Sequence, residues 1–513
     1  MVANTANYMA QGGDAWYIGG AIVLSDAAVL RGASPVITVA ASDAPSRVRK
    51  RADYECDGAA DEVEIQAALD ALPDSGGIVH LLSGNYYIQK ASVELDEGQY
   101  IIGEGMGGTI IQAHASHELS EGDSFLKLAE VNNFTNGGIR DLQLMGDGGI
   151  DGSSGTDQPD GTATLDGLNI NLGGTTVSRR PLIQWEMERV YINRCRRGVN
   201  GDVDRQRDVW VTDCLFYYND VGFHAYEHPT FVGGSFRWNA VGIGGFLYDA
   251  KINNVKMTYN EYGIKPDDTD TGIQSTFIVN TSIFASAKVG VYLGSGSILG
   301  SGCHIGTGSL VCEEGVRICG ECVTIDGPRI SAQSVTTGGW TTGAVVFRGA
   351  SSRHYGTRIT NCFFNNHIGP CIKSTGDLRS VQINGNYFDV NSANGGTLLS
   401  LTGTYTYGIT FNANMGNFSA SLDFGGASLI HINNNASASG NEIQSNLFLF
   451  STAPSGLSTG YLFELGATNA ESGSQHCSII NNRFERFGVF EIFKTTPADF
   501  YLCENNFGYT LPG

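Results

Sequence analysis

The stretch "VTDCLFYYNDVGFHAYEHP" (residues 211–229) returns in altered form as "VGGSFRWNAVGIGGF" and again as "NNVKMTYNEYGIKP". Asn219, Asn239 and Asn260 each stand three residues before a glycine (Gly222, Gly242, Gly263). Phe216, Phe236 and Met257 stand three residues before those asparagines. A fixed spacing of 20 or 21 residues is the signature of a solenoid, in which each repeat buries its apolar face only by stacking on the next. Every repeat here carries short alternating runs with Asn or Gly between them, so its elements are strands. The expected fold is therefore all-β, a parallel β-helix whose coils stack at about 4.8 Å, the spacing of strands within a sheet.

In such a stack, equivalent residues form ladders. Phe216, Phe236, Met257 and Phe284 are expected to pack inward one above another. Asn219, Asn239 and Asn260 are expected to form an amide ladder at a corner, each side chain bonding to the next. Working outward, "GIRDLQLMGD" and "RVYINRCRRGVNG" precede these coils, and "RITNCFFNNHIGPCI", "SVQINGNYFDV" and "CSIINNRFERFGVF" follow. Residues 299–329 fall partly on a six-residue register (Leu299, Ile305, Val311, Val323), which suggests an irregular or hexapeptide-like section at about 295–350.

Composition agrees. Only 16% of the 513 residues are charged and 69 are glycine, a mixture that suits tight turns better than helices. The formal net charge of −21 argues against nucleic acid and anionic membrane surfaces as partners, but leaves room for a polysaccharide. Eleven cysteines, most of them inside repeats, read as reduced core residues. The start of the chain lacks a basic, then apolar, leader, and "YIGGAIVLSDAAVL" (17–30) is too short to span a bilayer. Export by an ordinary signal peptide is therefore not expected.

Residues 1–45 lack the periodicity and read as an N-terminal appendage for attachment or oligomerisation, with the β-helix over 46–513. Asp61 to Leu72 reads as a helix with an acidic first turn; Val63, Ala67, Leu69 and Leu72 form its apolar face and Pro73 ends it. "YECDGAADEVEIQAALDAL…GGIVHLLSGNYYI" resembles the entrance to the pectate-lyase-like right-handed parallel β-helices, a superfamily that includes phage tailspike depolymerases. The resemblance implies a short helix capping the open end of the stack, a polysaccharide substrate, a homotrimer, and a place on a virion tail or outside the cell. It does not imply one chemistry, because this fold hosts hydrolases, lyases, epimerases and non-enzymatic fibres.

Charge concentrated over 186–270 in a charge-poor chain marks the best stretch for a site. The position after each corner asparagine holds Asp220, Ala240, Glu261 and then Lys288. Asp220 and Glu261 lie two coils, or about 10 Å, apart, close to the carboxylate separation that suits inverting glycoside hydrolysis. Glu227 and Asp268 form a second pair two coils apart, with His224 and His228 beside the first and Lys265 beside the second. Tyr218, Trp238 and Tyr259 form an aromatic column, read either as platforms for sugar rings or as a buried stack, and Arg237 accompanies it. Asp202, Asp204, Arg205 and Arg207 add charge close by. The expected chemistry is glycoside hydrolysis by Asp220, Glu261, Glu227 and Asp268.

Two other readings stay open. A lyase would use His224, Tyr226 and Arg237 on a uronic-acid glycan. A non-catalytic adhesin or structural fibre would use the ladders only as scaffold. No cofactor is expected, although the aspartate-rich loop 146–167 offers oxygens for calcium without EF-hand spacing. Cys303, His304, Cys312, Cys319 and Cys322 include one C-x-x-C but read as stacked thiols rather than a zinc site.

Overall fold

The computed structural model describes residues 8–9, 16–17, 35–129, 134–151, 158–171, 182–201, 208–266, 273–294, 300–332, 343–348, 353–365, 370–390, 397–402, 405–418, 429–434, 437–450, 463–467, 477–485, 493–496 and 501–504. The chain is a right-handed parallel β-helix. The coil built on the opening stretch shows how. Val209–Thr212 lies in a first sheet, Leu215–Tyr217 in a second and Val221–Glu227 in a third. Asp213 (φ 51°) and Tyr218 (φ 58°) turn the corners between them in the left-handed conformation. Each strand pairs in parallel with its counterpart one coil on: Val211 with Phe231, Phe216 with Phe236, Phe223 with Ile243.

The interior ladders follow from this register. In the second sheet Phe216 stacks on Phe236 with ring centroids 4.5 Å apart, and Met257 and Ile283 continue the column. Phe284, expected inward, instead points out and is 44% exposed, because Met257 registers with Ile283 and not with Phe284. A one-residue offset reverses which side of a strand a residue faces.

The asparagine ladder forms at the corner between the second and third sheets. The Cys195 N–H donates to Asn219 Oδ1 at 3.0 Å, Asn219 N–H to Asn239 Oδ1 at 3.0 Å, and Asn239 N–H to Asn260 Oδ1 at 2.9 Å. Each Nδ2 also donates to a carbonyl one coil below: Asn219 to Ile192, Asn239 to Phe216, Asn260 to Phe236. Later in the chain the device moves to the corner between the first and second sheets, where Cys362, Asn386, Asn414, Asn446 and Asn482 repeat it. Both ladders begin at a buried cysteine whose thiol lies against a backbone carbonyl, Cys195 against Asn193 and Cys362 against Thr360. The cysteines whose side chains are described are free thiols, and all of these but Cys322 are buried.

The glycines that follow the asparagines have their own reason. A Cβ on Gly222 would stand 2.6 Å from Gly242 O, one on Gly242 2.6 Å from Gly263 O, and one on Gly263 2.5 Å from Gly290 O. The column passes so close to the next coil's backbone that no side chain fits.

At the N-terminal end, Glu62–Asp70 is helical and buries Ile65, Ala68 and Leu69. These are i, i+3 and i+4, one face of a helix, and Leu72 continues it. Val63 is 60% exposed, so the apolar face centres on Ile65 instead. Val36–Ala40 already pairs with Gly77–Leu81 in the first sheet, which places the start of the coils ahead of residue 45. Residues 300–332 also keep the common register: His304–Ile305 pairs with Phe277–Val279 below and Thr324–Asp326 above. Leu310 is buried and Val311 is not, so the six-residue register does not hold there. From residue 300 a fourth short strand joins the coils, first as Gly300–Ser301 paired with Gly320–Glu321 and then in the sheet Arg353–Tyr355, Asp377–Arg379, Tyr405–Tyr407 and Ser437–Ser439.

Candidate functional site

The corner between the second and third sheets carries most of the chemistry. Its left-handed position holds Tyr218, Trp238 and Tyr259 in successive coils (φ 58°, 53° and 59°). That conformation turns the rings out of the core, where they stack at 5.0 and 5.7 Å between centroids. The Arg237 guanidinium lies 3.5 Å from the Trp238 ring centroid and 5.5 Å from that of Tyr259. With rings this close, no sugar fits between them; the column offers edges and its ends, and Tyr259 is 38% exposed.

One step past each ladder asparagine stand Asp220, Ala240, Glu261 and Lys288. Val221, Val241, Tyr262 and Val289 pair in succession just after them, which fixes this column. Asp220 and Glu261 are thus two coils apart, about 9.6 Å along the stack, with the small Ala240 between. Glu261 is ion-paired with Lys288. Asp220 is half-buried, and its carboxyl is pushed up to about 6, first by burial and then by the negative charge of Asp160. Arg196, one coil below, opposes the shift but is engaged by the buried Asp166 at 2.8 Å.

Asp160 reaches this place from the aspartate-rich loop 146–167. The loop leaves the same corner after Met145 and returns at Asp166. Its strands Ile150–Asp151 and Gln158–Pro159 pair, and Gln158 Nε2 donates to Tyr259 O at 2.7 Å. Met145 aligns through Asn193, Tyr217 and Arg237 with Thr258, so the loop climbs four coils, about 19 Å. Asp160 is fully exposed and held below the usual carboxylate range by hydrogen bonds from the Thr162 hydroxyl and N–H. Asp147 similarly accepts from Thr164. Five aspartates among glycines flagged this loop in the sequence, but nothing local gave its direction.

The remaining expected residues are dispersed. His224 is buried, in register with Asn200 below and Gly244 above, and does not face solvent. Glu227 ends its strand half-buried at φ 69°, and His228 packs on Tyr248 at 5.5 Å. Asp268, the expected partner of Glu227, lies outside the described residues, as do Asp202, Asp204, Arg205 and Arg207. Lys265 and Lys288 approach the Tyr262 ring at 5.1 and 5.4 Å, a small basic patch beside Glu261. The Tyr226 side chain lies outside the described residues. Cys303 and Cys312 direct their thiols to the Ile273 and Ile283 carbonyls, and no metal-sized group forms around them among the described residues.

No family model and no curated protein matches the chain. Solved structures do. An A-module of a mannuronan C-5 epimerase from Azotobacter vinelandii is 16% identical, with 89% of this chain and 97% of that one covered and a TM-score of 0.37. Tailspike protein 3 of bacteriophage CBA120 is 12% identical over 88% of this chain and 59% of that one, with a TM-score of 0.45. The catalytic unit of an alpha-1,3-glucanase from Streptomyces thermodiastaticus is 13% identical over 87% and 66%, at 0.39.

Proposed function

We propose that the protein is a polysaccharide-degrading enzyme of the tailspike type, hydrolysing glycosidic bonds in a groove along the corner between the second and third sheets. The observation that carries this reading is the column Asp220, Ala240 and Glu261 at that corner, where the half-buried Asp220 carboxyl is raised to about 6. A general acid needs a proton near neutral pH and a route to the leaving oxygen. Asp220 supplies the proton, and burial, with the negative charge of Asp160 added, keeps it there. Glu261, paired with Lys288, is the second carboxyl group, and Ala240 leaves space between the two for a sugar and a water. A spacing of two coils, about 9.6 Å along the stack, lies at the wide end that suits inversion rather than retention at the anomeric carbon. Arg237 and the edges of Trp238 and Tyr259 would hold the glycan.

The test is a polysaccharide panel read for new reducing ends, with products sized by mass. Hydrolysis gives saturated fragments, and Asp220→Asn and Glu261→Gln each lower the rate by about two to four orders of magnitude. Full activity in both variants would remove this pair.

The second reading is a lyase, favoured by Lys265 and Lys288 around Tyr262, a set able to neutralise a uronic carboxylate and take its α proton. It gives unsaturated products that absorb in the ultraviolet. A chain that binds glycans and releases no ends would be an adhesin. Homotrimerisation and a place on a virion tail belong to the same proposal and are checked by light scattering and by immunolabelling of particles.

A further inference from the structure

Cys56, Asp61 and Glu64 meet where the N-terminal helix joins the first coil, with one ligand atom from each within 4.8 Å of the others. Cys56 follows the short strand Tyr54–Glu55, and its N–H donates to Ala40 O at 2.9 Å. Asp61 precedes the helix, is fully buried, and accepts from the Gly58 and Tyr87 N–H groups at 2.7 and 2.8 Å. Glu64 stands in the first helical turn, and its Oε2 is buried with no hydrogen-bond partner. Cys56 is only 2% exposed, and its thiol makes no hydrogen bond among the described residues. The thiols of Cys195, Cys214, Cys303 and Cys362 differ, each lying against a backbone carbonyl. No Lys, Arg or His forms an ion pair with Asp61 or Glu64 among the described residues.

We propose that Cys56, Asp61 and Glu64 bind one divalent cation of the zinc class, which ties the helix to the first coil. A thiolate and two carboxylates are a donor set for a borderline-soft metal, whereas calcium and magnesium take oxygen alone. Zinc bond lengths place ligand atoms about 3.3–3.5 Å apart in a tetrahedron, so side chains already within 4.8 Å close by roughly 1 Å. Water completes the fourth position. The Cys56 thiol must lose its proton to ligate. Binding therefore releases protons and weakens as the pH falls.

The full-length chain, stripped with a chelator and kept reduced, is titrated with Co²⁺. The expected result is one equivalent bound with a thiolate-to-cobalt absorption band. The band disappears in Cys56→Ser, and Glu64→Gln weakens binding by about tenfold or more. Because Cys56→Ser also alters a buried position, alkylation of Cys56 in the unsubstituted chain, read on its own peptide by mass spectrometry, is the second measurement. Zinc is expected to slow it at least tenfold. Absence of the band, or the same alkylation rate with and without zinc, overturns the proposal.

Discussion

Gly242→Ala tests the stacking argument at a single atom. The new Cβ would stand 2.6 Å from Gly263 O, and a carbon and an oxygen in ordinary contact need about 3.2 Å or more. The obstacle is backbone held in the coil ladder, so relief requires moving one coil against the next. Overpacking of this kind costs about 1–3 kcal/mol, and the unfolded-state gain from replacing glycine, about 0.4–1 kcal/mol, offsets part of it. Gly244, two residues along the same strand, is the control. Its Cβ would meet Val221 Cγ1 at 3.2 Å and Val241 Cγ1 at 3.4 Å, both side-chain atoms that can give way. Gly244→Ala is expected to be nearly neutral. The assay is the unfolding rate at one fixed denaturant concentration, followed by tryptophan fluorescence, because a long solenoid is best compared kinetically. A net loss of about 1.5 kcal/mol corresponds to roughly tenfold faster unfolding if it is expressed on that limb. Equal unfolding rates for the two variants would refute the close-approach account of the glycine column.

Asn239→Ala removes the acceptor of the Asn219 N–H and one donor to the Phe216 carbonyl at a buried corner, for a loss of about 2 kcal/mol, to be read in the same unfolding assay. Asp220→Asn should separate stability from activity. The folded carboxyl titrates above the unfolded one, so its contribution is present below about pH 4 and lost as the pH rises through about 6. The variant is therefore expected to be more stable than the parent by about 1 kcal/mol at pH 7, after allowing for solvent exposure, and no more stable at pH 3.5, while losing activity. A destabilised variant at pH 7 would contradict the raised pKa. Asp160→Asn removes a neighbouring negative charge, so Asp220 should ionise at lower pH and the alkaline limb of the rate profile should move down. An unchanged profile would show that the loop does not act on Asp220.

The fold was legible because stacking imposes one-dimensional order. Asn219, Asn239 and Asn260, and the glycines three residues after each, recur at nearly the coil length, and a periodic requirement leaves a periodic trace. The same property placed Asp220, Ala240 and Glu261 in one column. Where the coil length changes, counting fails: Phe284 was assigned inward, but the pairing puts Ile283 there. The helix face was misread for a similar reason, since Val63 is apolar but lies outside the stripe through Ile65, Ala68 and Leu69.

By itself, then, the sequence determined the architecture, the ladders and the column that holds Asp220, all set by contacts between equivalent positions in neighbouring coils. Only the tertiary structure decided which charges act on one another. Glu261 is claimed by Lys288, Arg196 by Asp166, and Asp220 by an aspartate 60 residues earlier in the chain. The loop bearing Asp160 passes Asp220 two coils above Met145 on its way to Tyr259, and such a path carries no period for the sequence to display.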